Sequence, residues 1–145
     1  MMEYIYAILI ILVSFYFYVT NSFSLNPFLA RRSIVRYRKD KVVSQILIVD
    51  AISAAIKAPN HFLTEPWRFY ICGEETVDKI INLNKEKEEQ FKSIPNWMVV
   101  TMNTQYVPGS KLFLEDHAAC SAAIQTFMLF MASKGVGSKW MTGAL

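Results

Sequence analysis

Charge, cysteine, glycine and metal-binding residues are all scarce in this 145-residue chain. Charged residues make up 19%, below the roughly 25% typical of a soluble domain. The 53% hydrophobic composition leaves ample apolar surface to bury and excludes intrinsic disorder. Five glycines and five prolines exclude a collagen-like chain, and two cysteines exclude a disulfide scaffold. Cys72 and Cys120 lie in apolar stretches and read as unpaired core thiols of a reducing compartment. There are two histidines, His61 and His117, and no H-E-x-x-H or C-x-x-C pattern, so no metal site is expected. Neither a Walker loop nor G-x-G-x-x-G occurs; Gly135-Val-Gly137 is only a fragment of the latter. No nucleophile or acid–base pair stands out, so no catalytic side chain is assigned.

The missing charge is concentrated at one end. No charged side chain occurs from Tyr4 to Ala30. Residues 4–20 reach the length of a bilayer-spanning helix, about 17–25 apolar residues. Tyr4, Tyr6, Tyr16 and Tyr18 stand near its two ends, where aromatic belts form. Without a basic leader or a small-residue cleavage site, an uncleaved anchor fits better than a signal peptide. Directly afterwards, Arg31, Arg32, Arg36, Arg38, Lys39 and Lys41 face only Asp40. Such a cluster predicts that the C-terminal part is cytoplasmic, in a single-pass membrane protein. The remainder is nearly neutral, so the net charge of +3 does not mark a polycation, and no nucleic-acid partner is expected.

Beyond the anchor and linker (1–25), elements of both kinds alternate. Asn26-Pro27 suits the start of a short helix. A second helix is expected from an Asp40 cap to Lys57, burying Val42, Val43, Ile46, Leu47, Val49, Ile52 and Ile56. Ala58 to Pro66 reads as a loop and Trp67–Cys72 as a strand. An amphipathic helix follows from Glu74 to about Lys87, with Val77, Ile80, Ile81 and Leu83 inside. A second strand spans Trp97–Met102, and a long helix spans Leu112–Lys134. That helix is apolar on most faces, which suits a core or a dimer interface, and Gly135 ends it. The pattern is α+β or α/β.

One constellation suits an anion. Arg31-Arg32-Ser33 offers two guanidinium forks and a hydroxyl within three residues, the donor set for a phosphate. Taken alone it also reads as a topology-setting or lipid-contacting basic stretch.

Four segments in order resemble the flavin-dependent nitroreductase family. They are Arg31-Arg-Ser-Ile-Val-Arg-Tyr37, Ala58-Pro-Asn-His61, Glu65-Pro-Trp-Arg-Phe69 and Gly135-Val-Gly-Ser-Lys-Trp-Met-Thr-Gly143. The likeness is closest to its small, minimal bacterial branch. It implies an α+β three-layer sandwich over residues 26–145, with a mixed, mainly antiparallel sheet flanked by helices. It also implies a homodimer with FMN at the interface. Arg31, Arg32 and Ser33 would bind the flavin. Lys57 and His61 would also contact it, one of them from the partner subunit. Trp140, Met141 and Thr142 would lie near the phosphate and ring. Phe130–Gly135 would lie near NADH or NADPH. The implied activity is reduction of nitroaromatic or quinone-type acceptors in ping-pong order. The flavin carries that chemistry, which accounts for the missing catalytic side chains.

The resemblance also implies that the domain is incomplete at its C-terminus. An inactive, truncated nitroreductase-like membrane protein is therefore an alternative. A deiodinase-like flavoprotein is another, because Thr64-Glu-Pro-Trp67 is similar to the iodotyrosine deiodinase branch. The stretch from Leu83 to Pro95 has no tyrosine for that branch's substrate lid.

Overall fold

A computed structural model describes residues 26–141. The expected anchor at 4–20 and the site residue Thr142 lie outside these residues. Among the described residues, no helix is long and apolar enough to cross a membrane.

Helix α1 (Pro27–Ala30) begins as the sequence suggests: Asn26 Oδ1 accepts from Phe28 N at 3.0 Å, and Pro27 occupies the first turn. Helix α2 (Gln45–Ala55) starts five residues beyond the expected Asp40 cap. Asp40 instead pairs with Arg38 at 2.8 Å, and the Ser44 hydroxyl caps Leu47 N. Its buried stripe also differs from the expected one. Ile48, Ala51 and Ala55 face inward, whereas Ile46 and Val49 face out. Val43, Leu47 and Ile52 of the expected stripe are partly buried against Ile48, Ala51 and Met131, so the inward face is rotated from the expected one and only partly different.

Strands β1 (Trp67–Ile71) and β2 (Met98–Met102) pair antiparallel, with Trp67 opposite Met102 and Ile71 opposite Met98. Alternation divides their side chains between two faces. Trp67, Phe69 and Met102 pack on helix α5 (Lys111–Ser133) and on Ala55 and Ala58, with Phe69 and Phe127 stacked at 6.2 Å. Val99 turns the other way, toward Ile80, Ile81 and Phe91. These belong to helix α3 (Glu74–Leu83) and the one-turn helix α4 (Glu88–Phe91). The α2/α5 pair, the sheet and α3/α4 therefore form the three expected layers. The sheet among the described residues is one antiparallel pair, supplemented by a single parallel bridge between Ser33 and Ser138.

The expected helix from Glu74 to Lys87 breaks at Asn84. This buried side chain donates to Ile80 O at 2.9 Å, and its backbone leaves the helical region. Leu83 points to solvent instead of the core, because the buried face of Val77, Ile80 and Ile81 continues to Asn84 and not to Leu83. Helix α5 ends where the sequence expects. Gly135 adopts φ +74°, a left-handed conformation, and Val136 N reaches back to Met131 O at 2.9 Å.

Candidate cofactor site

Two groups of candidate residues form at opposite ends of α5. The first is assembled by the Ser33–Ser138 bridge, in which Ile34 N donates to Ser138 O at 3.1 Å. This contact brings Arg31, Arg32 and Ser33 beside the segment carrying Trp140 and Met141. Glycine at 137 leaves room for the Ile34 side chain. A Cβ there would stand 2.5 Å from Ile34 Cγ1. Tyr37 secures the same turn, its hydroxyl donating to Ile34 O at 2.7 Å. Burial raises the Tyr37 phenol pKa above its ordinary value.

Arg32 and Ser33 are exposed and Arg31 is half-buried. Among the described residues, neither arginine has a carboxylate partner within salt-bridge distance, although Arg38 just beyond is paired with Asp40. Two unneutralised guanidiniums next to a hydroxyl remain available to an anion. Trp140 is partly exposed and Met141 packs into the cluster of Ile80, Phe91 and Trp97. A cavity of about 290 Å³ opens alongside, between β2, α5 and residues 136–141.

The second group sits at the start of α5. Lys57 follows the C-terminus of α2, exposed and free of carboxylate partners among the described residues. His61 opens a short 3-10 turn (His61–Leu63), with Nε2 3.6 Å from Glu115 Oε2 and its ring edge-on to Phe62. Phe62, Leu63 and Glu65 have φ of 52°, 55° and 42°. Each non-glycine residue in this region is disfavoured by on the order of 1 kcal/mol or more. Thr64 Oγ1 donates to Asp116 Oδ1 at 2.7 Å and ties this loop to α5.

The helix packing fixes the separation of the two groups. Ile48 and Ala51 of α2 meet Met131, while Ala55 and Ala58 meet Ala119, Cys120 and Ala123. The two helices thus run antiparallel. His61 lies by the first turn of α5, and the Ser33–Ser138 bridge lies past its last turn. At 1.5 Å per residue, Glu115 and Ser133 are about 27 Å apart along the axis. One protomer therefore ties the Arg31–Ser33 segment to the start of the segment 138–141 through the Ser33–Ser138 bridge, at the opposite end of α5 from Lys57 and His61. Sequence reasoning overlooked Asp116, Thr64 and the Gly137–Ile34 approach. An acid in the apolar run around Cys120 was a usable signal for the first; the others depend on contacts distant in sequence.

The three layers and the paired segments define a layered α+β fold that carries the ordered motifs. The nitroreductase family model matches residues 29–145, and the chain belongs to the Nitroreductase family. YfhC of Bacillus subtilis (strain 168), which carries the provisional name NAD(P)H nitroreductase, is 32% identical over 133 residues, covering 80% of this chain and 67% of that protein. A nitroreductase-like family protein of Bacillus cereus superposes with a TM-score of 0.71 at 30% identity, covering 83% of this chain and 70% of the other. A provisionally assigned nitroreductase of Desulfovibrio desulfuricans, solved with FMN, shares the fold with a TM-score of 0.69 at 23% identity, covering 83% and 69%.

Proposed function

We propose that this chain is an FMN-dependent oxidoreductase that takes electrons from NADH or NADPH and works as a homodimer. Quinone-type or nitroaromatic molecules are its proposed acceptors. The observation that carries this reading is the pair of unneutralised guanidiniums, Arg31 and Arg32, held beside residues 138–141 in a chain of this family. Their donor chemistry fits a phosphate dianion. When bound, FMN supplies the hydride and electron transfer. The chain's own residues bind and orient it. Arg31, Arg32 and Ser33 hold the phosphate end, and the Trp140–Met141 segment lies against it.

The split between the two groups supports a dimer. A two-fold partner would bring its own Lys57 and His61 to the site that Arg31 and Ser33 begin. An exposed seam supports the same reading: Ile46, which is 77% exposed, and Val49 on α2, continuing to Ile56 at its end. Their intervals of three and seven residues keep them on one face of the helix. The apolar segment 4–20 is proposed to anchor this domain to a membrane, with the domain on the cytoplasmic side.

The test is direct. Protein purified in detergent should be yellow, or should take up added FMN with a matching absorption band. Colourless protein that ignores added FMN would overturn the reading. Deleting residues 1–25 should release the domain from the membrane fraction, and retention as an integral species would overturn the anchor.

A further inference from the structure

We propose that Thr64 and Asp116 form a latch that positions His61 for the flavin, an inference that rests on the FMN reading above. The loop before β1 is strained in a way that its own packing does not explain. Phe62, Leu63 and Glu65 all adopt left-handed backbone conformations, which side chains with a Cβ disfavour. Phe62 and Leu63 are 80% and 81% exposed, so burial of these side chains does not offset the strain. Hydrogen-bonded tethers must hold the loop.

Three such tethers are present. Asn60 Oδ1 accepts from Glu65 N at 3.0 Å, and Arg68 Nη1 donates to Glu65 O at 2.9 Å. Both are local and fix only the loop's internal shape. The third crosses 52 residues of sequence: the Thr64 hydroxyl donates to Asp116 Oδ1 at 2.7 Å. Asp116 is only 2% exposed, on the inner side of α5 between the first turn and Cys120. Its carboxylate end is buried, and the bond is short, as hydroxyl–carboxylate bonds are. Beside it, Glu115 Oε2 lies 3.6 Å from His61 Nε2 and makes no hydrogen bond. The pair Glu115–Asp116 therefore registers the loop against the helix. Asp116 grips Thr64, and His61, three residues earlier, is placed at the head of α5. Thr64 N closes the turn by donating to His61 O at 3.2 Å, so movement of Thr64 is transmitted to His61. Thr64 and Asp116 touch no proposed ligand and are positioning residues.

Thr64→Val keeps the side-chain shape and removes the donor, and Thr64→Ser restores the hydroxyl. FMN affinity is measured by fluorescence titration in the full chain, and amide exchange of residues 61–65 is measured without FMN. Thr64→Val should weaken FMN roughly five- to tenfold and speed exchange of the loop, with Thr64→Ser within about twofold of the parent. In a His61→Ala background, Thr64→Val should add no further loss of affinity. A purely structural role would instead lower affinity equally in both backgrounds, and that result overturns the latch. Unchanged loop exchange in Thr64→Val also overturns it, whatever the flavin result. Failure of the parent protein to bind FMN would overturn the FMN reading, and with it the role given to His61. Faster loop exchange in Thr64→Val would still locate the mechanical contact.

Discussion

Gly137 and Ile34 approach so closely that a single methyl group on the glycine would lie 2.5 Å from Ile34 Cγ1. This contact joins the segment after α5 to the segment that carries the two arginines. It is where a chain folded from separate pieces becomes one candidate site.

Gly137→Ala should therefore lower stability by about 1–3 kcal/mol, the usual cost of overpacking. It should also loosen FMN, because the Ser33–Ser138 bridge must shift. The double variant Gly137→Ala with Ile34→Ala should recover part of the loss by vacating the contested space. Thermal unfolding of the single and double variants checks this. Equal stability of Gly137→Ala and the parent would show that the contact is soft.

Arg31 and Arg32 are the proposed anion-binding pair. Replacing both with glutamate should abolish flavin retention. Arg31→Ala or Arg32→Ala alone should weaken FMN by about 10- to 100-fold, the range for loss of a hydrogen bond to a charged group. FMN titration at two salt concentrations checks it. Affinity should fall as salt rises in the parent and less steeply in the variants.

The seam of α2 predicts the assembly. Ile46→Asp puts a charge at the most exposed of its apolar positions, where a dimer would have to bury it. The variant should shift the dimer toward monomer by at least about 100-fold in dissociation constant. FMN should be lost in parallel if the site is shared between subunits. Light scattering with an absorption spectrum reads both. A variant that stays dimeric would place the interface elsewhere.

The thiols give a pH prediction. Burial pushes the Cys120 pKa up, the nearby Asp116 charge adds to this, and Arg68 opposes it. Cys72, less enclosed, is also raised by burial, with a backbone hydrogen bond from Val99 opposing it. Both should react slowly with a thiol reagent near pH 8, with Cys72 ahead of Cys120, because the thiolate is the reactive form. Folding holds both thiols protonated above the ordinary value of about 8.5. Their stabilising effect is therefore complete below that pH and is lost as pH rises through the raised values. Replacing both cysteines with alanine should flatten this alkaline fall in stability.

Sequence periodicity located the helices and strands wherever one segment's own pattern decides them. Trp67–Ile71, Met98–Met102, the long helix and its Gly135 stop all lie close to the expected positions. Local pattern failed where two partners compete. Asp40 was a reasonable cap until Arg38 took its carboxylate, and the position expected of Leu83 on the α3 stripe is taken by the polar Asn84, whose amide is satisfied by Ile80 O. On α2 the β-branched residues suggested the core. The packing of α2 on α5 instead buries Ala55 beside Ala119 and Ala123, and Ile48 and Ala51 beside Met131, and leaves Ile46 and Val49 outside.

By itself the sequence determined the family, because ordered motifs are properties of residues in line, and its donor types proposed Arg31, Arg32 and Ser33 for an anion. The tertiary structure alone decided that these residues form two groups at opposite ends of α5. It also brought Asp116 within 2.7 Å of Thr64 and set Gly137 against Ile34. Those facts depend on helix length, antiparallel packing and contacts across 52 to 103 residues of chain, which no local pattern encodes.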